Sequence, residues 1–139
     1  MILVDTSAWI EFLRGTESPV CQAVEALIAD EAEMATTDVV VMELLAGARD
    51  DAHERQLRDL LKRCTMLTVS GLDDYESASR LYRVCRRNGE TVRKLTDCLI
   101  GAVALRNGCP VLHQDVDFEV LARNVGLLEA RPGIRPVQT

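Results

Sequence analysis

The chain has 139 residues, of which 47% are hydrophobic and 27% charged, and its formal net charge is −6. This length suits one domain with a proper core, and the composition is that of an ordinary globular protein rather than a disordered one. There is no run of about 18 apolar residues and no basic segment before the N-terminal apolar run, which argues against a membrane span and a signal peptide. We expect a single cytoplasmic domain over residues 1–139, without membrane contact.

The five cysteines are widely scattered, form no C-x-x-C pair and are accompanied by only two histidines. Such spacing does not support a zinc site or a disulfide framework. We therefore interpret the cysteines as small buried residues.

The negative net charge argues against nonspecific nucleic-acid binding by bulk electrostatics. Fourteen of the sixteen basic residues are arginines, however, and several of them crowd into residues 80–94. A local basic patch of this kind is typical either of a solvated helix face or of phosphate contacts. The candidates for such contacts are Arg80, Arg83, Arg87, Arg93 and Lys94.

The chain opens with a short apolar run, residues 1–4, which predicts a buried strand that ends at Asp5. Helix and strand patterns then alternate. Helices are predicted from Ser7 to Gly15, after the Ser18-Pro19 cap, and around residues 39–49, 57–64, 73–88, 96–107 and 118–123; strands are predicted at residues 33–36, 66–69, 110–112 and 127–129. This order predicts an α/β fold with a central parallel sheet of about four to five strands flanked by helices, and an irregular tail at residues 130–139.

Four acidic side chains stand out in this pattern. Asp5 and Asp115 follow predicted strands, whereas Glu43 and Asp97 lie on predicted helices. Each could simply cap a helix or face solvent, but the carboxyl ends of parallel strands and the starts of the following helices share one edge of a sheet. Four clustered carboxylates would repel each other, and a hard cation such as Mg²⁺ or Mn²⁺ would resolve the repulsion. Such a cation suits phosphodiester hydrolysis by an activated water.

Four motifs in order carry a resemblance that covers essentially the whole chain. They are VDTS at residues 4–7, MELLAGA at 42–48, LTD at 95–97 and LHQDVDF at 112–118. Together they resemble the PIN-domain family and, within it, the VapC-type toxins of bacterial toxin–antitoxin pairs. The resemblance implies a Mg²⁺- or Mn²⁺-dependent ribonuclease, commonly dimeric, that a VapB-type antitoxin holds inactive within a hetero-oligomer by placing its tail in the acidic cleft.

The resemblance also assigns roles by position. Asp5, Glu43, Asp97 and Asp115 match the catalytic, metal-binding acids, and Asp117 matches a frequent fifth metal-binding acid. Ser7 matches a supporting hydroxyl beside the first aspartate. His113 departs from the family pattern, which usually has Thr or Ser there. We expect His113 to fill the position rather than to touch substrate.

The function that follows is a toxin endoribonuclease that cleaves structured cellular RNA, either transfer or ribosomal RNA, with the basic residues of the patch at the rim. One alternative is a degenerate PIN fold that serves as an RNA- or protein-binding module, although all four matching acids are retained. A less favoured alternative is an aspartate-based phosphatase. Those of the haloacid-dehalogenase type need a second aspartate two residues after the first, where this chain has Ser7.

Overall fold

A computed structural model describes residues 1–130, and in it four short parallel strands form one sheet. The order across the sheet is β3-β2-β1-β4, with β1 in the interior. The strands are β1 (Ile2–Val4), β2 (Met34–Thr36), β3 (Thr65–Met66) and β4 (Val111–Leu112). The described residues also form seven helices: α1 (Thr6–Arg14), α2 (Pro19–Ala29), α3 (Asp38–Ala46), α4 (Asp51–Leu61), α5 (Gly71–Arg87), α6 (Leu95–Asn107) and α7 (Val116–Val125).

The predicted α/β fold is confirmed, and several strand and helix boundaries follow from local sequence features. Strand β1 is wholly buried, as its apolar run requires in a sheet covered on both faces. Ser18 caps α2 and Thr37 caps α3, each accepting a backbone N–H with its hydroxyl. Gly15 ends α1 in the left-handed conformation at φ 61°, which costs glycine little.

Two strands differ from their predicted extents. The third was predicted at residues 66–69, but β3 covers only Thr65 and Met66 and is exposed at the edge of the sheet. Beyond it the Val69 N–H donates to the Asp38 carboxylate instead of to a strand, so the ladder stops. The last predicted strand is reduced to one parallel bridge between Val111 and Glu129.

Helix α6 is the most buried helix of the fold, with eight consecutive buried residues from Asp97 to Ala104. At Gly101 an added Cβ would lie 3.1 Å from Cδ1 of Leu121, so glycine lets α6 approach α7 closely.

All five cysteines are free thiols, four of them buried, as expected. Within residues 1–130 no helix combines the length and apolarity needed to cross a membrane. Apart from Ala130, the predicted irregular tail lies outside the described residues.

Candidate metal centre

Asp5 lies directly after β1 and uses its two carboxylate oxygens differently. Oδ2 caps α1 by accepting the backbone N–H of Ser7 at 2.9 Å and the Ser7 hydroxyl at 2.6 Å. Oδ1 is buried and has no hydrogen-bond partner among residues 1–130. Burial raises the pKa of Asp5, the bonds from Ser7 oppose this, and the charge of Asp115 adds to the rise. Asp5 therefore caps α1 with one oxygen and keeps the other available as a ligand.

Ser7 ties the ends of two adjacent strands together. Its Oγ donates to Asp5 and accepts the backbone N–H of Gln114 at 2.9 Å. Because β1 and β4 are hydrogen-bonded neighbours, with Val4 opposite Leu112, this bond spans the gap between the two strand ends. It brings the segment that carries Asp115 towards Asp5.

Glu43 reaches the same edge of the sheet from α3. Its Oε1 accepts the hydroxyl of Thr6, the residue after Asp5, at 3.1 Å. Burial raises the pKa of Glu43, the Thr6 bond opposes this, and the nearby charges of Asp5 and Asp115 raise it further. This role of Thr6 was not among the predictions from the sequence. The one indication in the sequence is that Thr6 directly follows Asp5, at the end of a strand.

Asp97 stands in the first turn of α6, and its side chain is only 2% exposed. Burial raises its pKa to about 9, with further contributions from a hydrogen bond with Asp117 and from the charges of Asp5 and Asp115. Its Oδ2 is buried without a hydrogen-bond partner in the described part of the chain, although Nζ of Lys94 lies 3.6 Å away. The charge of Lys94 opposes the rise only in part, so in the absence of a metal ion this environment disfavours the charged carboxylate.

Asp115 caps α7, where its Oδ1 accepts the backbone N–H of Asp117 at 2.9 Å. Burial acts to raise the pKa of Asp115, but that N–H and Lys94, whose Nζ lies 3.0 Å from Oδ2, bring it below the ordinary value. Asp117 is almost wholly buried and accepts the backbone N–H groups of Arg93 and Lys94, both at 3.0 Å. It therefore fixes the segment that leads into Asp97.

The donor set fits a hard divalent cation. One oxygen from each of Asp97, Asp115 and Asp117 lies within 4.8 Å of the other two. Asp5 and Asp97 each add a buried oxygen with no hydrogen-bond partner among residues 1–130. Oxygen-only ligands in a cluster of carboxylates are typical of Mg²⁺ and Mn²⁺ sites.

The basic residues predicted to contact phosphate fall into two groups. Arg93 and Lys94 lie at the acidic cluster, and Arg93 approaches Asp115 at 3.4 Å and Asp117 at 3.5 Å. Arg83 and Arg87 are exposed on α5. Arg80 lies on α5 beside a cavity that Arg106 also lines, near the far end of α6 from Asp97.

The PIN domain family matches residues 2–124 of the chain. The chain belongs to the PIN-domain family. It is 43% identical to Ribonuclease VapC11 of Mycobacterium tuberculosis over 131 residues, which cover 94% of this chain and 98% of VapC11. These matches confirm the predicted family and the predicted resemblance to VapC-type toxins. They give no support to the phosphatase alternative.

Solved structures of PIN-domain toxins share the fold. VapBC-5 from M. tuberculosis, a member of the VapBC family of toxin–antitoxin systems, matches with 31% identity and a TM-score of 0.57, covering 86% of this chain and 89% of that one. VapC20 from M. tuberculosis, a sarcin-ricin loop cleaving toxin, matches with 22% identity and a TM-score of 0.67, covering 95% and 100%. At 22% identity the likeness shows the fold alone.

Proposed function

We propose that this PIN domain is a divalent-metal-dependent endoribonuclease and the toxin of a VapBC-type toxin–antitoxin pair. The observation that carries the proposal is the convergence of five acidic side chains from two strand ends and three helices on one edge of the sheet. They are Asp5, Glu43, Asp97, Asp115 and Asp117. Two of them, Asp5 and Asp97, keep buried oxygens without hydrogen-bond partners among the described residues, which is an unfavourable arrangement unless a cation completes it.

Asp5, Glu43, Asp97 and Asp115 would hold the cation, with Asp117 as a supporting acid. The bound cation, Mg²⁺ or Mn²⁺, supplies an activated water and stabilises negative charge on the phosphate. Hydrolysis joins the water oxygen to phosphorus and breaks one phosphorus–oxygen bond of the RNA backbone.

The protein groups around the acids do the positioning. Ser7 and Thr6 hold Asp5 and Glu43 in place through hydroxyl bonds. Lys94 and Arg93 offset the negative charge of the cluster and supply donors for an incoming phosphate, which an acidic site alone would repel. Arg83 and Arg87 extend this basic rim in the proposal.

The proposed substrate is structured cellular RNA, either transfer or ribosomal RNA. VapC20, which has the same fold, is a sarcin-ricin loop cleaving toxin. The proposed partners are a VapB-type antitoxin and a second copy of the chain. The membership of VapBC-5 in a toxin–antitoxin family supports the first of these.

The test is cleavage of total cellular RNA by the purified chain with Mg²⁺, with Mn²⁺ and with a chelator, followed by sequencing of the new ends. We expect a small set of discrete ends that appear only with metal. Asp5→Asn removes one proposed ligand and should abolish these ends.

The matched control is Asp59→Asn, which changes an exposed aspartate on α4 that pairs with Lys62 at the surface. It should cut like the unmodified chain. Metal-independent cleavage, or full activity of Asp5→Asn, would contradict the proposed site. An absence of cleavage with any metal, combined with binding of an antitoxin, would favour the binding-module alternative.

A further inference from the structure

His113 occupies a fixed place between the acidic cluster and the C-terminal part of the described chain. Its Nδ1 accepts the backbone N–H of Asp115 at 3.1 Å. Its Nε2 lies 2.8 Å from Oε2 of Glu129. The ring packs against the buried Phe118 with 5.2 Å between ring centres, and its side chain is only 8% exposed. Contacts on three sides therefore hold the imidazole.

These contacts determine which nitrogen carries the proton. Since Nδ1 accepts the Asp115 N–H, it has no proton of its own. The hydrogen bond to Glu129 then requires the proton on Nε2, because a carboxylate can only accept. Glu129 thus stabilises the tautomer in which His113 can accept from Asp115.

Glu129 is itself fixed by backbone pairing. The Val111 N–H donates to the Leu128 carbonyl, and the Ala130 N–H donates to the Val111 carbonyl, both at 2.9 Å. This bridge attaches the segment around Glu129 to the outer side of β4, two residues before His113. The bridged segment therefore places the Glu129 carboxylate next to the His113 ring.

We propose that Glu129 and His113 are positioning residues that hold Asp115 in the orientation needed to bind the metal. This rests on the proposed function, in which Asp115 is a ligand. His113 restrains the backbone of Asp115 at the start of α7, while Asp115 uses its own carboxylate to cap that helix. Groups that orient metal ligands in this way contribute substantially to metal affinity.

A serine or threonine in place of His113 could not play the same role. A short hydroxyl can accept the N–H two residues on, but it cannot also contact Glu129. The imidazole adds this second bond, and so connects the end of the described chain to the metal centre.

The test measures Mn²⁺ affinity by isothermal titration calorimetry. His113→Phe keeps a ring but removes both nitrogens, and should raise the dissociation constant roughly tenfold, the lower limit for losing a partner of a metal ligand. His113→Asn restores an acceptor for the Asp115 N–H in an Asx turn, and should recover most of the affinity. Glu129→Leu should give a smaller loss than His113→Phe.

His53 provides a matched control within the same chain. Its Nδ1 also accepts a backbone N–H, that of Arg49, at 3.1 Å. His53 lines the same cavity as Glu43, but within residues 1–130 it forms no hydrogen bond with the acids of the proposed metal centre. His53→Phe should leave the Mn²⁺ affinity unchanged. Because the chain has only two histidines, it also leaves a single imidazole whose ¹⁵N resonances report the tautomer of His113.

The outcomes separate this inference from the proposed function. A protonated Nδ1 at His113 would overturn the inference whatever the metal affinity. Equal Mn²⁺ affinity in folded His113→Phe, Glu129→Leu and the unmodified chain would also overturn it, and leave the metal centre intact. If the unmodified chain bound no Mn²⁺, the proposed metal centre would fail and the inference with it. Thermal unfolding identifies variants that do not fold. If His113→Phe does not fold, the Mn²⁺ affinities of His113→Asn and Glu129→Leu test the inference.

Discussion

Two buried aspartates at opposite ends of α6 show how differently one side chain can be used. Asp97 lies in the first turn of α6, whereas Asp74, from α5, meets Arg106 in its last turn. The nine residue steps from Asp97 to Arg106 correspond to about 13.5 Å along the helix axis. Both carboxylates are almost inaccessible, with 2% and 4% of the side chain exposed. Burial raises the pKa of Asp97 to about 9, while the bonds from Arg106 hold the pKa of Asp74 below its ordinary value in spite of burial.

Burial acts to raise the pKa of both carboxylates, and hydrogen-bond donors reverse that rise at Asp74 but not at Asp97. Asp74 receives two hydrogen bonds from Arg106, at 3.1 and 2.9 Å, and a third from the backbone N–H of Ser70. Asp97 faces other carboxylates and keeps one oxygen without a hydrogen-bond partner in the described residues. An acid with all its partners stabilises the fold, and an acid without them is a candidate ligand.

The largest expected effect is on Asp97. Asp97→Asn should reduce RNA cleavage by ~100-fold or more, at or above the upper range for partners of a metal ligand. It should also abolish the rise in melting temperature on adding Mn²⁺, since only a folded state that binds metal is stabilised by it. In chelator the variant should be no less stable than the unmodified chain. A marked loss of stability there would mean that Asp97 is a structural acid like Asp74.

Asp74→Asn should show the opposite pattern. The amide weakens the paired bonds from Arg106, so the free energy of unfolding should fall by about 1.5–3 kcal/mol. Urea unfolding measures this loss, and calorimetry should find Mn²⁺ affinity unchanged. A variant that kept its stability but lost metal affinity would break the contrast between the two ends of α6.

The pH dependence of the free energy of unfolding should differ between the unmodified chain and Asp74→Asn. Because the folded pKa of Asp74 lies below its ordinary value of 3.8, the charged carboxylate contributes fully above that value. The contribution is lost as the pH falls through the folded pKa. The stability difference between the unmodified chain and Asp74→Asn should therefore be present at neutral pH and shrink in acid. A difference that grew on acidification would contradict this assignment.

The smallest expected effects compare basic residues at the two ends. Lys94→Met removes a charge 3.0 Å from Asp115 and should lower the rate of RNA cleavage several-fold, which corresponds to the roughly 1 kcal/mol of a typical hydrogen bond. Arg80→Met removes a charge near the far end of α6 and should change the rate little. Equal losses in the two variants would indicate an RNA path that extends along α5 to Arg80.

Much of the fold follows from local signals in the sequence. The apolar run before Asp5, the Ser18-Pro19 cap and the left-handed Gly15 each predict an element boundary that the structure confirms. The extent of β3 was not predictable, because its end depends on Asp38 capturing the Val69 N–H from a distant part of the chain.

The acids of the candidate site could be predicted from the sequence, but the hydrogen bonds that hold them could not. Asp5, Glu43, Asp97 and Asp115 stand out as acids at strand ends or among apolar helical neighbours. Their roles as ligands remain predictions. The hydroxyl bond from Thr6 to Glu43 and the link from His113 to Glu129 join residues far apart in sequence, and only the packed sheet brings them together.

The central claim is that the acids at this edge of the sheet hold a divalent cation. Anomalous diffraction from crystals of the chain grown with Mn²⁺ tests it most directly. We expect a manganese peak bonded to carboxylate oxygens of Asp5, Asp97 and Asp115, and no peak there in crystals of Asp97→Asn. A peak elsewhere, or none in a chain that cleaves RNA with Mn²⁺, would contradict it.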